Sequence, residues 1–189
     1  MRIIAGKFKG RNLSVPKGVK LRGTSQKVKE ALFCILGNQI RGASFLELFA
    51  GSGNVGIEAK SRGADKVFFV ENNRACIKTI KENLKRLGIK ETETVLLPLN
   101  AERALRVLNQ RHEKFDFIFL DPPYYENQLK NSLIKITLYD ILKPRAYVVA
   151  EHHKKEVLPH LFRGLSLIFT KTYGDTTLSF YQMEQNKEE

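Results

Sequence analysis

The chain has 189 residues, 42% of them hydrophobic and 28% charged, which favours one soluble globular domain with a substantial core. Its net charge is +12, and such an excess of positive charge favours a polyanionic partner. No apolar run approaches the roughly 18 residues of a membrane span, and the N-terminus lacks the apolar core of a signal peptide, so a cytoplasmic protein is expected.

The positive charge is concentrated at the N-terminus. The first 29 residues contain nine Lys or Arg and no acid, whereas the other 160 contain 23 basic and 20 acidic residues. Clustered charge favours phosphate binding, because neutralising phosphates releases counterions; a solvated basic arm is the alternative. Residues 2–15 alternate weakly in polarity and carry Gly6 and Gly10, which predicts a short β-ribbon. We therefore predict a basic ribbon or arm over residues 1–23.

Helices and strands alternate after this arm. The stretch TSQKVKEALFCILG has apolar residues at helical spacing, which predicts a helix capped by Thr24 or Ser25 and ended near Gly37. Four more helices are predicted: from a glycine-rich loop to about Lys60, from about Ile77 to Gly88, over AERALRVLNQ, and through about Leu142, stopped by Pro144. The predicted strands are SFLELF, KVFFVE, TVLLPLN, FDFIFLD and AYVVAE, followed by a hairpin over LSLIFTKTYGDTTLSFYQM.

This alternation predicts an α/β fold with a doubly wound, mostly parallel seven-stranded sheet and a C-terminal antiparallel hairpin. Pro98 places TVLLPLN at a sheet edge, and the apolar FDFIFLD is expected to be buried on both faces. The domain is predicted over residues 24–184, with a disordered tail, EQNKEE. Cys34 and Cys76 are expected to be buried free thiols, and no His, Cys and carboxylate grouping has the spacing of a metal site.

The glycine-rich loop is the first functional signal. Gly51-Ser-Gly53-Asn-Val-Gly56 is a G-x-G-x-x-G motif, and Glu71 ends the next strand twenty residues after Gly51. This pattern matches a dinucleotide fingerprint, in which the acid binds a ribose hydroxyl. Glycines after a strand can also serve tight packing alone, but the order of strand, loop, helix, strand and acid favours a cofactor site.

Three features argue against a dinucleotide. Glu47 stands four residues before Gly51, whereas a pyrophosphate needs an open helix N-terminus. The chain has no room for the second substrate domain of a dehydrogenase. The third feature is the motif DPPY, described next. S-adenosylmethionine also carries an adenosine, but it has no phosphate, and an acid such as Glu47 can help to bind its ammonium group.

The tetrapeptide Asp121-Pro122-Pro123-Tyr124 ends the most apolar strand, at the edge of the sheet where ligands bind. The prolines have fixed φ and no N–H, and they leave the Pro122 carbonyl as an acceptor beside Asp121. Two acceptors and the flat ring of Tyr124 suit a planar base that carries an exocyclic amine. A chance turn would explain the prolines, but not the flanking acid and aromatic ring.

These motifs resemble those of class I S-adenosylmethionine-dependent amino-methyltransferases, which have a Rossmann-like fold. The chain is identified more narrowly as a member of the bacterial 16S rRNA guanine-N2 methyltransferase family (RsmD type). The resemblance covers nearly the whole chain: MRIIAGKFKGRNL, LRGTSQKVKEALFCIL, LELFAGSGNVGIEAKSRGA, DPPY and KTYGDTTLSFY. The opening and closing blocks are specific to this family, whereas the glycine loop and DPPY are shared with many methyltransferases.

The resemblance implies S-adenosylmethionine as cofactor and a role for each matching position. Phe49, Gly51, Ser52 and Gly53 line its methionine end. Glu71 accepts both ribose hydroxyls, and Thr24 closes over the cofactor. Asn72 lies beside the adenine, and Asn100, where many relatives have Asp, bonds the adenine edge. The expected RNA contacts are Arg2, Lys7, Lys9, Arg11 and Arg22.

The expected chemistry is methylation of an unpaired guanine. Asp121, which also borders the cofactor, and the Pro122 carbonyl accept from the exocyclic amine, so that its lone pair faces the methyl group, and Tyr124 stacks on the base. The implied substrate is 16S rRNA of the small ribosomal subunit. A monomer is expected by default, and no metal is expected, because no grouping of ligands has the spacing of a metal site. His152 and His153 are expected at a solvated edge, with RNA contact as the alternative.

Other functions stay open at this stage. A DNA adenine-N6 methyltransferase also uses DPPY, but it normally adds a sequence-reading domain. A protein-glutamine methyltransferase more often has Asn in place of Asp121. A non-catalytic RNA-binding assembly factor would not need the intact glycine loop, Glu71 and DPPY.

Overall fold

The computed structural model describes residues 1–19, 23–123 and 128–183. In chain order, the helices are α1 (Gln26–Leu36), α2 (Asn54–Ser61), α3 (Arg74–Leu87), α4 (Ala101–Gln110) and α5 (Gln128–Leu138). The strands are β1 (Ser44–Leu48), β2 (Lys66–Val70), β3 (Thr94–Leu97), β4 (Phe115–Leu120), β5 (Leu142–His153), β6 (Leu161–Phe162), β7 (Leu165–Tyr173) and β8 (Thr176–Met183). Short 3-10 turns lie at Gly37–Ile40 and Glu91–Glu93. No helix among the described residues is long and apolar enough to cross a bilayer.

The strands form one sheet in the order β3-β2-β1-β4-β5-β8-β7-β6. The first five strands of this order are parallel, and β8, β7 and β6 add in antiparallel fashion. The predicted doubly wound fold with a C-terminal hairpin is therefore confirmed. An eighth strand, β6, joins the predicted seven, because two residues pair with the outer edge of the hairpin. Pro98 directly follows the edge strand β3, as expected.

The sheet separates two apolar cores. Phe117 and Phe119 of β4 face one core, which α1, α2 and α3 complete, whereas Ile118 and Leu120 face the other, which α4 and α5 complete. Because successive strand residues point to opposite faces, a strand buried on both sides must be apolar at every position. This explains the apolar run from Phe117 to Leu120, which follows the half-buried Asp116, and it fixes the C-terminal end of β4, where DPPY begins.

The N-terminal segment packs into the first core. Ile3, Phe8 and Leu13 are buried there, and the predicted ribbon reduces to a single antiparallel bridge between Arg2 and Asn12. The amides of Ile3 and Leu13 still bond the carbonyls of Arg11 and Met1 beside this bridge. The ribbon does not extend further because the amides of residues 4, 5, 7 and 8 bond Glu58 and Ser61 of α2. At Gly6, whose φ is +80°, a Cβ would lie 1.8 Å from the Ser61 carbonyl oxygen, so only glycine allows this approach.

Two predictions near the C-terminal half were wrong. The helix expected through Leu142 ends at Leu138, and β5 begins at Leu142. Pro144 is tolerated because the pairing of β5 with β4 is irregular at that point, between Phe115 and Phe117, and a bulge does not require its missing N–H. His152 is buried rather than solvated, since its Nε2 lies 2.8 Å from the Ser179 hydroxyl on β8.

The two thiols are free, but only Cys76 is buried; Cys34 is exposed on α1, contrary to expectation.

Ser25, one of the two predicted caps, accepts from the Val28 amide at the start of α1. That choice leaves Thr24 available for the cleft described below.

A buried ionic cluster joins the N-terminal segment to α1 and α2. The Glu58 carboxylate, fully buried, accepts from the amides of Ile4 and Ala5 at 2.8 and 3.0 Å. It also pairs with Lys29 at 3.2 Å and with Arg62 at 2.8 Å. Lys29 is 1% exposed, and desolvation by burial lowers its pKa although Glu58 opposes the change. One carboxylate therefore satisfies four donors from three segments.

We expect Glu58→Gln to lower the free energy of unfolding by about 3–5 kcal/mol, because it leaves the buried Lys29 without a counter-charge. Chemical denaturation measures this loss, and hydrogen exchange of the Ile4 and Ala5 amides reports release of the N-terminal segment. Glu82→Gln is the matched control, since Glu82 forms an exposed pair with Lys78 at 3.9 Å and should cost less than about 0.5 kcal/mol. Equal losses in the two variants would contradict the prediction.

Candidate active site

A cleft of about 800 Å³ opens at the carboxyl ends of β1, β2 and β4. It brings together nearly all the residues predicted to bind cofactor or act on the base. The described residues of that set that line it are Thr24, Glu47, Phe49, Gly51, Ser52, Glu71, Asn72, Asn100, Asp121 and Pro122. Gly53 lies behind this surface, packed against Phe69, Ile57 and Ile80. Tyr124 and Arg22 lie outside the described residues.

The glycine loop turns sharply after β1. Phe49, Gly51 and Gly53 all have positive φ, at 73°, 54° and 76°. A phenylalanine in this conformation is strained, and such strain is found mainly at functional sites. Gly53 then begins α2 as its N-cap, without any side-chain cap of its own.

Glu47 closes the N-terminus of α2. Its two carboxylate oxygens accept from the amides of Val55 and Gly56, at 3.1 and 2.9 Å. A Cβ at Gly56 would lie 2.4 Å from the Phe69 ring and 2.9 Å from the Glu47 carboxylate, so the glycine permits the approach of both. The amides that would hold a pyrophosphate in a dinucleotide site are thus already bonded inside the protein.

Burial raises the pKa of Glu47 to about 8, although the hydrogen bonds from Gly56 and Val55 and the charge of Lys29 oppose this shift. Both the protonated and the ionised form of this carboxyl group are therefore accessible near neutral pH. A positive charge placed beside it favours the ionised form.

Glu71 is held in place by three backbone amides. Its Oε2 accepts from Gly51 at 2.7 Å, and its Oε1 accepts from Asn72 and Asn73 at 2.9 Å each. These bonds fix the carboxylate at the end of β2 and link it to the glycine loop. The amide of Gly51 is consequently not offered to a phosphate either.

Asp121 follows β4 at the floor of the cleft. The Thr24 hydroxyl, which is buried, donates to Asp121 Oδ2 at 3.4 Å. Pro122 is buried and Pro123 is exposed. The chain thus places the carboxylate and the following proline beside α1, in the same cleft as Glu71.

Asn100 has a structural role that the sequence did not reveal. Its Oδ1 accepts from the Arg103 amide at 2.9 Å and caps α4. Asn73 does the same for α3, accepting from Ala75 and Cys76. Both caps line the cleft, so two helices start at its rim.

The charges of the lining favour a cationic ligand. Among the described lining residues, four are acids and one, Lys135, is a base that pairs with Glu102 at 2.6 Å; the acids are Glu47, Glu71, Glu102 and Asp121. A cation beside Glu47 adds to the negative charge of the lining, because it favours the ionised form of this carboxyl group. This acidic cleft lies in a chain of net charge +12. The arrangement suits an ammonium or sulfonium group, and it opposes a pyrophosphate.

A layer of buried polar side chains supports the loop from behind. Lys29 donates to Asn54 at 2.7 Å, and Asn54 donates to the Thr24 carbonyl at 3.2 Å. Asn83 donates to the Ser52 carbonyl at 3.2 Å. Sequence reasoning missed these residues. One signal was present, because Asn83 follows Ile80 by three residues and precedes Leu87 by four, which places a polar group on an apolar face.

The predicted RNA contacts lie elsewhere. Arg2, Lys7, Lys9 and Arg11 are exposed on the N-terminal segment and do not line the cleft. Lys29, which adds to the positive charge of the first 29 residues, is buried in the Glu58 cluster and cannot meet a phosphate.

We expect the cleft to reject NAD, because Glu47 occupies the α2 amides. Glu47→Ala uncovers them and is expected to raise the weak affinity for NAD by roughly two- to thirtyfold, the range for an anion at a helix N-terminus. Isothermal titration calorimetry measures the affinity for NAD of the unaltered protein and of the variant. Glu30→Ala, on the exposed face of α1, removes a carboxyl group without uncovering an amide and should leave the affinity unchanged. Tight NAD binding by the unaltered protein would refute this account.

Known proteins match this chain along nearly its whole length. A family model described as "Conserved hypothetical protein 95" matches residues 1–182. The chain is 41% identical to the Bacillus subtilis protein "Putative rRNA methyltransferase YlbH", over 96% of this chain and 98% of that protein. It is 36% identical to "Ribosomal RNA small subunit methyltransferase D" of Haemophilus influenzae, over 96% and 93%.

Among solved structures, an Escherichia coli protein described as "Putative methyltransferase yhhF" superposes with a TM-score of 0.84 at 31% identity, over 97% of this chain and 98% of that one. The similarity therefore extends through the N-terminal segment, the cleft and the closing hairpin. On these grounds, the chain belongs to the RsmD-type family of bacterial ribosomal RNA small-subunit methyltransferases.

Proposed function

We propose that this protein transfers a methyl group from S-adenosylmethionine to the exocyclic N2 amine of a guanine in 16S rRNA of the small ribosomal subunit. The observation that carries the proposal is the meeting, in one acidic cleft, of the capped glycine loop, Glu71 and the Asp121-Pro122 end of β4. The names of the relatives support rRNA as the substrate.

The cleft residues fit the proposed cofactor. Glu71 is proposed to accept from the ribose hydroxyls, and Asn72 and Asn100 are proposed to lie beside the adenine. Glu47 and the turn from Phe49 to Gly53 border the space for a methionine ammonium. When bound, the cofactor supplies a methyl group activated by a sulfonium.

The base side of the cleft is formed by Asp121 and Pro122. The Asp121 carboxylate and the Pro122 carbonyl accept from the two N–H groups of an exocyclic amine. This pairing favours a pyramidal nitrogen whose lone pair faces the methyl donor, so that catalysis consists of positioning and electrostatics. Thr24 orients Asp121 through its hydroxyl. Tyr124 is proposed to stack on the base, which must be unpaired to enter.

We expect Asp121→Ala to lower the single-turnover rate of methylation of small ribosomal subunits by about 10²–10³, because it removes an acceptor needed most in the transition state. Labelled S-adenosylmethionine and mass mapping of the product measure the rate and the site. Asp116→Ala is the matched control, since Asp116 lies on the same strand at its opposite end and bonds Ser44 and Lys143. It should keep most of the activity.

Near-normal rates for Asp121→Ala would refute this mechanism. Methyl label on adenine N6 of DNA would favour the DNA methyltransferase. Normal RNA binding with no methyl transfer by the unaltered protein would favour an assembly factor.

The pKa of Glu47 gives a second test. Because a cation beside the carboxylate favours its ionised form, cofactor binding should release a proton when the pH is below about 8, the pKa of this group. By linkage, affinity should then rise between pH 6 and pH 8, by at most about tenfold per pH unit, and level off above. Calorimetry at pH 7 in two buffers of different ionisation enthalpy detects the proton. Glu47→Gln should show no such release. If the unaltered protein gave the same binding heat in both buffers, the assignment would be contradicted.

A further inference from the structure

The positive charge of the chain has a second concentration, on α3. This helix contains five Lys or Arg and one Glu, a net charge of +4 over 14 residues. Residues 1–29 carry +9, and the remaining residues, 30–73 and 88–189, contain 18 basic and 19 acidic side chains, a net charge of −1. The whole positive excess therefore lies in residues 1–29 and α3.

Four of the α3 cations form a stripe along the helix. Arg74, Lys78, Lys81 and Lys85 are spaced by four, three and four residues and are all exposed, so they share one face. We call this set the α3 stripe. It is about 16 Å long, at 1.5 Å per residue. Within residues 1–19, 23–123 and 128–183, the one ion pair of the stripe joins Lys78, which is 80% exposed, to Glu82 at 3.9 Å.

The α3 stripe adjoins both the N-terminal segment and the cleft. Arg86, one residue beyond the stripe, donates to the Asn12 carbonyl and to the Ser14 hydroxyl. At the other end, Asn72 and Asn73 immediately precede Arg74 and line the cleft. The apolar side of α3 packs through Ile80 and Leu87 into the same core as Ile3 and Leu13, so both basic elements cover one face of the sheet.

We propose that the α3 stripe is a second RNA-binding surface, which contacts the phosphate backbone of rRNA that reaches the cleft. This inference rests on the proposed function and extends its substrate surface beyond the N-terminal arm. Regularly spaced cations match the regularly spaced phosphates of a nucleic acid strand.

The chemistry of the surface favours RNA over a protein or a membrane. Protein interfaces have an apolar centre, and membrane-surface helices expose an apolar face. The apolar side of α3 is packed in the core instead, and no large hydrophobic side chain of α3 is among the exposed ones of the described residues. What α3 offers to a partner is charge alone.

The test compares two triple variants that each remove three positive charges. Lys78→Gln, Lys81→Gln and Lys85→Gln remove three of the four cations of the α3 stripe without approaching the cleft, and glutamine keeps the helix propensity of lysine. Arg103→Gln, Arg106→Gln and Arg111→Gln neutralise α4, at its exposed positions and its end. This helix packs on the opposite face of the sheet and serves as the control. Circular dichroism verifies that both fold.

Affinity for a 16S rRNA fragment is measured across salt concentrations, together with affinity for S-adenosylhomocysteine. The α3 variant should reduce the slope of log affinity against log salt by about two units, since each lost phosphate contact removes about 0.7–0.9. The α4 variant should keep the original slope, and both should bind S-adenosylhomocysteine normally. An unchanged slope in the α3 variant, or an equal change in both, overturns the inference. This readout does not depend on methyl transfer, so failure of the proposed function would appear separately, as RNA binding without methylation.

Discussion

The Glu47 carboxylate determines what kind of ligand this fold can accept. A parallel sheet with a glycine loop before a helix offers free amides and a positive helix end, and both favour phosphate. Here a side chain from β1 bonds two amides in the first turn of α2 and brings a carboxyl group to the ligand side of the loop. A loop of the geometry that binds dinucleotides in other proteins therefore borders an acidic site here. The contact between Glu47 and α2 requires a glycine at position 56, because any Cβ there would displace either the carboxylate or Phe69.

The layer that supports the loop depends on a second buried carboxylate. Glu58 gathers the N-terminal segment, Lys29 and Arg62. Lys29 in turn bonds Asn54, which holds the carbonyl of Thr24, and Thr24 reaches Asp121. A chain of direct contacts thus connects the N-terminal segment to the residue proposed to act on the base. Because each group in this chain is largely desolvated, the loss of one partner leaves an unsatisfied neighbour.

Acidic and basic side chains are concentrated on different surfaces of this molecule. The acids that line the cleft face the proposed cofactor and the target amine. The cations lie outside the cleft, on the N-terminal segment and α3, where phosphates can reach them. A basic cleft would repel a sulfonium, and an acidic surface would repel RNA, so the two ligands of the proposed reaction require this separation.

The sequence by itself determined the order of strands and helices, the position of the glycine loop, and the ends of β2 and β4 where Glu71 and Asp121 stand. These features depend on spacing between near neighbours, which periodicity and motifs record directly. Only the tertiary structure decided that Glu47 caps α2, that Lys29 is buried, that His152 is covered by β8, and that the α3 stripe adjoins residues 12–14. Each of these outcomes depends on groups brought together from distant parts of the chain, such as the Ile4 amide and Glu58, which are 54 residues apart. The environment of a charge, whether solvated or buried and paired, is set by such contacts, and residue type alone does not contain it.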